Sequence, residues 1–249
     1  MTDIMPHGKL IGKGAQADVY LVDGQAVKLF HQNAMEDAAF YEADLQQKIY
    51  NAGLCAPRVY GIHTVNGRAA IVMEYIHGPS LGSLMKADGS RAAEYLLQAA
   101  RLQAQMHQAH VKGLPSQWDR LNQRILAASL LLKELKDRLV DRLQMLVIGS
   151  VVCHGDFHPY NILQTDQGLV VIDWVDATLG SPMADVCRTY LLYLIHSSEA
   201  AELYLQYYCQ AAGIEREAVL QWLPIVAGAR LSEQGRGDDT AMLLRLAEG

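Results

Sequence analysis

Three oxygen-bearing side chains, Asp156, Asn161 and Asp173, fall within one short run, VVCHGDFHPYNILQTDQGLVVIDW, from Val151 to Trp174. The apolar stretches Ile162–Leu163 and Leu169–Ile172 read as short strands on either side of the turn-forming Asp166-Gln167-Gly168. A hairpin on that turn would set Asn161 opposite Asp173 at its open end, with Asp156 just upstream, after the apolar Val151-Val152-Cys153. Two carboxylates and an amide at one edge suit magnesium, a hard cation that takes oxygen ligands and keeps several waters. The chemistry such a centre would support is phosphoryl transfer.

A second group of residues lies near the start of the chain. Lys9–Ile11 and Val19–Val22 read as strands interrupted by Gly12-Lys13-Gly14-Ala15-Gln16-Ala17. The dipeptide Asp23-Gly24 is a strong two-residue hairpin signal before a further strand, Gln25–Phe30, and on that turn Lys28 falls opposite Val19. The lysine and the end of the glycine loop then share one edge of a ribbon. Gly12-x-Gly14-x-x-Ala17 has the outline of a dinucleotide fingerprint, but that motif must open a helix, and here a β-branched, aromatic stretch and a hairpin turn follow. No Gly-Lys-Ser/Thr occurs, which removes a Walker A loop. Two readings of the loop are left: a simple bulge, or a bend whose backbone amides approach phosphate oxygens. Taken with Lys28 and the magnesium-type triad, the second is preferred.

The elements that must position these residues form a small β-rich front and a large helical back. Ala34–Ala52 has helical composition and stops at Gly53; Val59–Thr64 and Ala69–Tyr75 read as strands joined at Asn66-Gly67. His77-Gly78-Pro79 breaks the pattern and serves as a link between two lobes, 1–76 and 77–249. Beyond it, helices are expected over Ser90–Ala109, Trp118–Val147 (with Leu132, Leu135, Leu139, Leu143 and Leu146 on one face), Glu199–Ala212 and Glu215–Glu233, with Gly213 between the last two. Leucine and methionine at such spacings are read as scaffold.

Composition narrows the function classes. With 249 residues, 51 % hydrophobic and 19 % charged, the chain is an ordinary globular protein with room for a sizeable core. A net charge of -6 and the absence of a Lys/Arg cluster exclude a nucleic-acid footprint. MTDIMPHGKL lacks the apolar region of a signal peptide, and no apolar run approaches a membrane span. Cys55, Cys153, Cys187 and Cys209 form no C-x-x-C pair and are expected to be buried free thiols in a reducing cytoplasm. No nucleic acid, no membrane and no obligatory protein partner is expected.

In order along the chain, IGKGAQADVYLV, AVKLF, YEADLQQKIYNAGLCAPRV, IVMEYIHG, HGDFHPYNIL and VVIDW resemble the protein-kinase-like fold, and within it the aminoglycoside phosphotransferase and choline kinase group. The resemblance spans roughly Lys9 to Glu233 and rests on HGDFHPYNIL with VVIDW more than on the loop. It implies an α+β, two-lobed fold: a small antiparallel sheet with one helix, then a larger, mostly helical lobe. HGD for the protein-kinase HRD, IDW for DFG, and no APE segment after Asp173 point to small-molecule kinases.

Residue by residue, the resemblance implies that Gly12 and Gly14 cover the nucleotide phosphates, that Val19 belongs to the same nucleotide site, that Lys28 contacts the phosphates and that Glu42 orients Lys28, with Glu36 a weaker alternative. Met73 would back the adenine pocket, the backbone of Glu74 and Ile76 would bond the adenine edge, and Ala26 and Leu163 would sandwich the base. Asp156 would take the acceptor hydroxyl's proton, while Asn161 and Asp173 hold Mg2+. ATP is the expected donor, although Met73 does not separate ATP from GTP. Ala17, where kinase loops commonly carry glycine, should stiffen the loop.

Other residues carry plainer readings. His154 and His158 flank a loop with Pro159 and make no zinc site; His154 is expected to brace the catalytic loop. Asp185 resembles the family's structural aspartate. Asp176 is read as a solvated loop acid or cap, and Glu233, Asp238 and Asp239 as a solvated charge run; contact of any of these with the acceptor stays open. The acceptor expected from the resemblance is an aminoglycoside or amino-alcohol. The rival readings are an atypical protein kinase and a nucleotide-binding protein without turnover.

Overall fold

The computed structural model describes residues 8–35, 37–233 and 238–249. In chain order the strands β1 (Lys9–Lys13), β2 (Ala17–Val22) and β3 (Gln25–Phe30) precede helix α1 (Ala38–Asn51), followed by β4 (Val59–Val65) and β5 (Arg68–Glu74). Helices α2 (Leu81–Ala87), α3 (Ala92–Met106), α4 (Gln117–Ala127) and α5 (Lys133–Met145) lead to β6 (Val151–Cys153) and the strands β7 (Ile162–Thr165) and β8 (Gly168–Val171). The chain continues through β9 (Thr178–Gly180), α6 (Pro182–Leu194), α7 (Ser198–Ala212), α8 (Arg216–Leu220), α9 (Leu223–Arg230) and α10 (Thr240–Glu248). These elements form two compact units. One runs to Pro79 and includes Leu163–Val175; the other comprises Ser80–Ile162 and Asp176–Gly249. Leu163–Val175, which the sequence division places with the second segment, clusters with the first.

The first unit is built on a five-stranded antiparallel sheet in the order β1-β2-β3-β5-β4. Its two tight hairpins follow from backbone chemistry. A two-residue turn that matches strand twist needs positive φ at both central residues. Asp23 (46°) and Gly24 (78°) supply it in one hairpin, Asn66 (50°) and Gly67 (74°) in the other. Period-two alternation then sorts β3: Val27 and Leu29 join Val65 and Ala70 on one face, while Phe30 packs with Ala17, Ile71 and the α1 alanines 38, 39 and 43 on the other. Lys28, in step with Phe30, is directed to the α1 side. Helix α1 begins at Ala38, later than expected from Ala34, because His31–Met35 closes local turns. It ends as expected before Gly53, whose φ is 79°.

The second unit is mostly helical, and here helical periodicity over-extends. The segment expected as one helix over Trp118–Val147 is two, α4 and α5, because Ala128 (0 % exposed) and Leu131 (5 %) turn inward between them. Both helices pack on α9, where Gly228 admits the Leu139 and Leu131 side chains. Glu215–Glu233 is likewise α8 and α9, with Pro224 in the first turn of α9. α2 and α10 carry no strong sequence signal and were not anticipated. Gly213 ends α7 in the left-handed conformation, φ 66°. The cysteines are free, but against the expectation that all are buried Cys55, in the loop after α1, is exposed and Cys209, in α7, is half-buried. Among the described residues, no helix is long and apolar enough to cross a membrane.

Breaking the long helix moves Leu132 out of the apolar stripe: it is 75 % exposed, whereas Leu143 is 1 % exposed. Leu143→Ala is expected to cost about 2–5 kcal/mol and Leu132→Ala no more than about 0.5 kcal/mol. Guanidinium unfolding midpoints of the two variants check this.

Candidate active site

In the first unit the sheet register sets the geometry. Val19 pairs with Lys28, as the Asp23-Gly24 turn requires, and Lys28 pairs on its other side with Ile71. Lys28 Nζ lies 2.5 Å from Glu42 Oε1 and 3.1 Å from Asp173 Oδ1. Burial works to lower the ammonium's pKa, but Asp173 and Glu42 together outweigh it, so Lys28 is held charged with its pKa above the usual lysine value. Glu42 is buried in α1 beside Gln46, whose amide donates to the Pro57 carbonyl at 2.9 Å and contacts Met73 Sδ at 3.4 Å. Glu36 lies outside the described residues. Asp173 stands at the end of the β7/β8 hairpin in a left-handed conformation, φ 65°, which a short polar side chain tolerates better than most.

The remaining nucleotide-side candidates lie along the same sheet and its flanking loops. Gly12 pairs with Val19, and the Gly14 N–H donates to the Ala17 carbonyl at 2.9 Å, closing the loop. The Ala17 side chain is 2 % exposed and belongs to the core between sheet and α1. Ala26 pairs with Met73, and Gln25 with Glu74. The Glu74 N–H donates to the Arg58 carbonyl at 2.8 Å. Leu163 and Ile76 are half-buried.

In the second unit, β6 pairs with β9, a strand the sequence reading missed, and delivers the chain into the loop that carries Asp156. Asp185, 1 % exposed in the first turn of α6, holds that loop. Its Oδ1 accepts from the Gly155 N–H at 2.7 Å, and its Oδ2 from the His154 N–H at 3.2 Å, Gln103 Nε2 at 2.7 Å and His107 Nε2 at 3.0 Å. His107 Nδ1 pairs with the Tyr208 hydroxyl at 2.7 Å, so Nε2 carries the proton when that hydroxyl donates. Gly155 is required as glycine: φ is 81°, and a Cβ there would lie 2.6 Å from the Asp176 carbonyl oxygen. His154 braces the loop as expected, its Nδ1 accepting the Asp156 N–H at 3.2 Å. Asn161, buried at the end of a 3-10 turn, donates its amide to the Asp156 carbonyl at 3.0 Å.

The Asp156 carboxylate faces His158 Nε2 at 3.4 Å and an Arg188 guanidinium nitrogen at 3.5 Å. Burial pushes its pKa up, but His158, Arg188 and His154 outweigh that and hold it well below the ordinary carboxylate range. Arg188 is one turn along α6 from Asp185, a buried arginine inside the otherwise apolar CRTYLLYL. That misfit was the available signal for it. It pairs with Glu233 at 2.6 Å, and Glu233 also meets Arg230 at 2.5 Å and Arg124 at 3.0 Å. Asp176 meets Arg120 at 2.9 Å and Arg124 at 2.8 Å, and Asp238 meets Arg230 at 2.6 Å. The reading of these acids as solvated is therefore overturned for Asp176, Glu233 and Asp238. Asp239 caps α10 through the Met242 N–H. A cavity of about 580 Å³ opens beside Asp156, with His158, Tyr160, Lys86, Tyr193 and His196 among its walls.

A sequence model of the Phosphotransferase enzyme family matches residues 7–222. No curated protein matches the chain. Among solved structures it is similar to the choline kinase LicA from Streptococcus pneumoniae, with 17 % identity, 97 % of this chain and 93 % of that chain covered, and a TM-score of 0.64. A choline/ethanolamine kinase family protein from Mesorhizobium loti gives 17 % identity, 99 % and 90 % coverage and a TM-score of 0.67. The ADP-bound aminoglycoside phosphotransferase APH(2'')-Ib gives 19 %, 96 % and 90 %, and 0.61. At these identities the likeness establishes the fold, the two-lobed protein-kinase-like α+β fold.

The Asp185 carboxyl sits below its ordinary pKa, because His107, the Gly155 N–H and His154 outweigh the opposing effect of burial. A carboxyl depressed on folding stabilises the protein above its unfolded pKa, about 3.9, and that contribution is lost as pH falls through the folded value. Asp185→Asn is expected to lose about 2–4 kcal/mol at neutral pH, with the gap to the parent narrowing below about pH 4. Unfolding measured at a series of pH values checks both parts; a gap that stays constant with pH would contradict the assignment.

Proposed function

The chain belongs to the phosphotransferase enzyme family and is a small-molecule kinase, and we propose that it moves the γ-phosphate of ATP, with magnesium, to a hydroxyl of its acceptor. The observation that carries this reading is the Lys28–Glu42–Asp173 cluster, in which a half-buried lysine is kept charged between two carboxylates. Such an ammonium is suited to phosphate oxygens and is already oriented before any ligand arrives. The ADP in the aminoglycoside phosphotransferase structure accords with a nucleotide donor. In this reading Gly12, Gly14 and Val19 cover the phosphates; Ala26 and Leu163 enclose the base, Met73 backs it, and the Glu74 carbonyl and Ile76 N–H hold its edge.

Asn161 and Asp173 fit a magnesium ion by the chemistry of their donors. Asp173 presents a carboxylate whose side chain is 42 % exposed. The Asn161 amide nitrogen is committed to the Asp156 carbonyl, which leaves the amide oxygen as the ligand atom. When bound, magnesium would neutralise and orient the phosphate oxygens. Asp156 acts on the acceptor: an ionised carboxylate aligns the hydroxyl and accepts its proton as the oxygen bonds to phosphorus. Its depressed pKa makes it a weak base but keeps it ionised at every pH at which the enzyme would work. That suits a loose transition state, in which the proton leaves late and alignment matters more than basicity. The cytoplasm, where ATP is available and free thiols persist, is the proposed setting.

Asp156→Asn and Asp173→Asn are each expected to keep the fold and to lower acceptor-dependent ADP release by about two to four orders of magnitude. Lys28→Met should fall in the same range. Purified variants in a coupled ADP-release assay provide the measurement, and near-parental turnover in Asp156→Asn would remove this mechanism.

A further inference from the structure

The cavity beside Asp156 carries information on what it receives, an inference that rests on the kinase reading above. Its volume of about 580 Å³ is that of a site for a whole small molecule. Asp156 is the sole carboxylate among the described residues that line it. That carboxylate has a task of its own, since it must face the reacting hydroxyl. The cationic side chains in the wall are Lys86 and Arg230. Arg230 is already matched by Asp238 and Glu233. Lys86, in the last turn of α2, is exposed and has no ion-pair partner among the described residues, so its charge is available to a ligand.

Another part of the wall carries the same sign. Ser197 and Ala200, at the N-terminal end of the fifteen-residue helix α7, line the cavity, and a helix N-terminus favours negative charge. Glu199, in that first turn, is exposed and is not part of the wall. An amine would therefore meet an unpaired ammonium and the positive end of a helix, with only the base to pair against. An aromatic cage for a quaternary ammonium needs several open ring faces. Here Tyr193 is 7 % exposed with its ring against Tyr204, centroids 5.1 Å apart. One face of Tyr160 is covered by Gly82, where even a Cβ would come within 2.8 Å of the ring. What remains is one half-open ring, suited to the apolar face of a sugar or a short carbon chain.

We propose that this cavity takes a hydroxylated acceptor bearing one anionic group, a carboxylate or a phosphate, held at Lys86 and the start of α7, and that it disfavours polycations and quaternary amines. Calorimetric binding to the full chain tests it without depending on turnover. The probes are gluconate, glucose 6-phosphate, glucose, kanamycin and choline, against the parent, Lys86→Met and Lys86→Glu. The two anionic probes separate the sources of charge. At least one should bind about tenfold or more tightly than glucose, since a charged hydrogen bond is gained. Lys86→Met should erase that preference and Lys86→Glu reverse it toward the amines. Tighter binding of kanamycin or choline by the parent, a preference unchanged in Lys86→Met, or binding of none of the probes would overturn the proposal. The same probes in the ADP-release assay separate the two readings. Transfer to an amine acceptor would keep the kinase and sink the anionic pocket, whereas anion binding with Lys86 dependence and no transfer to any hydroxyl would do the opposite.

Discussion

The second unit depends on one buried carboxylate. Asp185 is a charge in the interior, a costly arrangement unless hydrogen bonds surround it. The groups that surround it are the ones that shape the Asp156 loop: two consecutive backbone amides, from His154 and Gly155, and side chains from α3. A loop that donates its backbone to a fixed anion cannot drift far without leaving that anion unpaired. Stability and site geometry are therefore the same interaction here, and the conformation Gly155 adopts is a consequence of it.

A second layer of charge sets the electrostatic state of Asp156. Arg188 stands between Asp156 and Glu233, and Glu233 is shared with Arg124 and Arg230. Carboxylates and guanidinium groups alternate through this network, so the positive charge near Asp156 is enough to keep it ionised and not so concentrated as to clamp it: Arg188 lies 3.5 Å from Asp156 but 2.6 Å from Glu233. In the first unit the same principle appears in reverse. A half-buried cation, Lys28, is the central charge, and two carboxylates hold it.

What could be read in the sequence was what short-range chemistry dictates. Asp23-Gly24 and Asn66-Gly67 demand one kind of turn, the turn fixes the register, and the register places Lys28 opposite Val19. Gly53 and Gly213 end helices for equally local reasons. The resemblance in HGDFHPYNIL and VVIDW then supplied the family and fold, and with them the position of Asp185. What was hidden depends on distant partners. Arg230 is only three residues away, but nothing near Glu233 announces arginines arriving from α4 and α6, so it looked like part of a surface run. The break between α4 and α5 has no glycine or proline to mark it; it exists because Leu131 is drawn inward toward α9. Gln103 and His107 lie on an amphipathic stripe of α3 and show their role only when α6 is packed against them.

A held lysine, an ionised aspartate and an acceptor cavity together support one claim, that phosphate leaves a nucleotide and ends on a small hydroxyl. Following an isotopic label on the γ-phosphate of ATP through a single turnover, with acceptor present, tests that claim most directly. The label should appear in a phosphate ester of the acceptor, and should fail to do so with Asp156→Asn. Label recovered only as inorganic phosphate, or on the protein itself, would contradict the account.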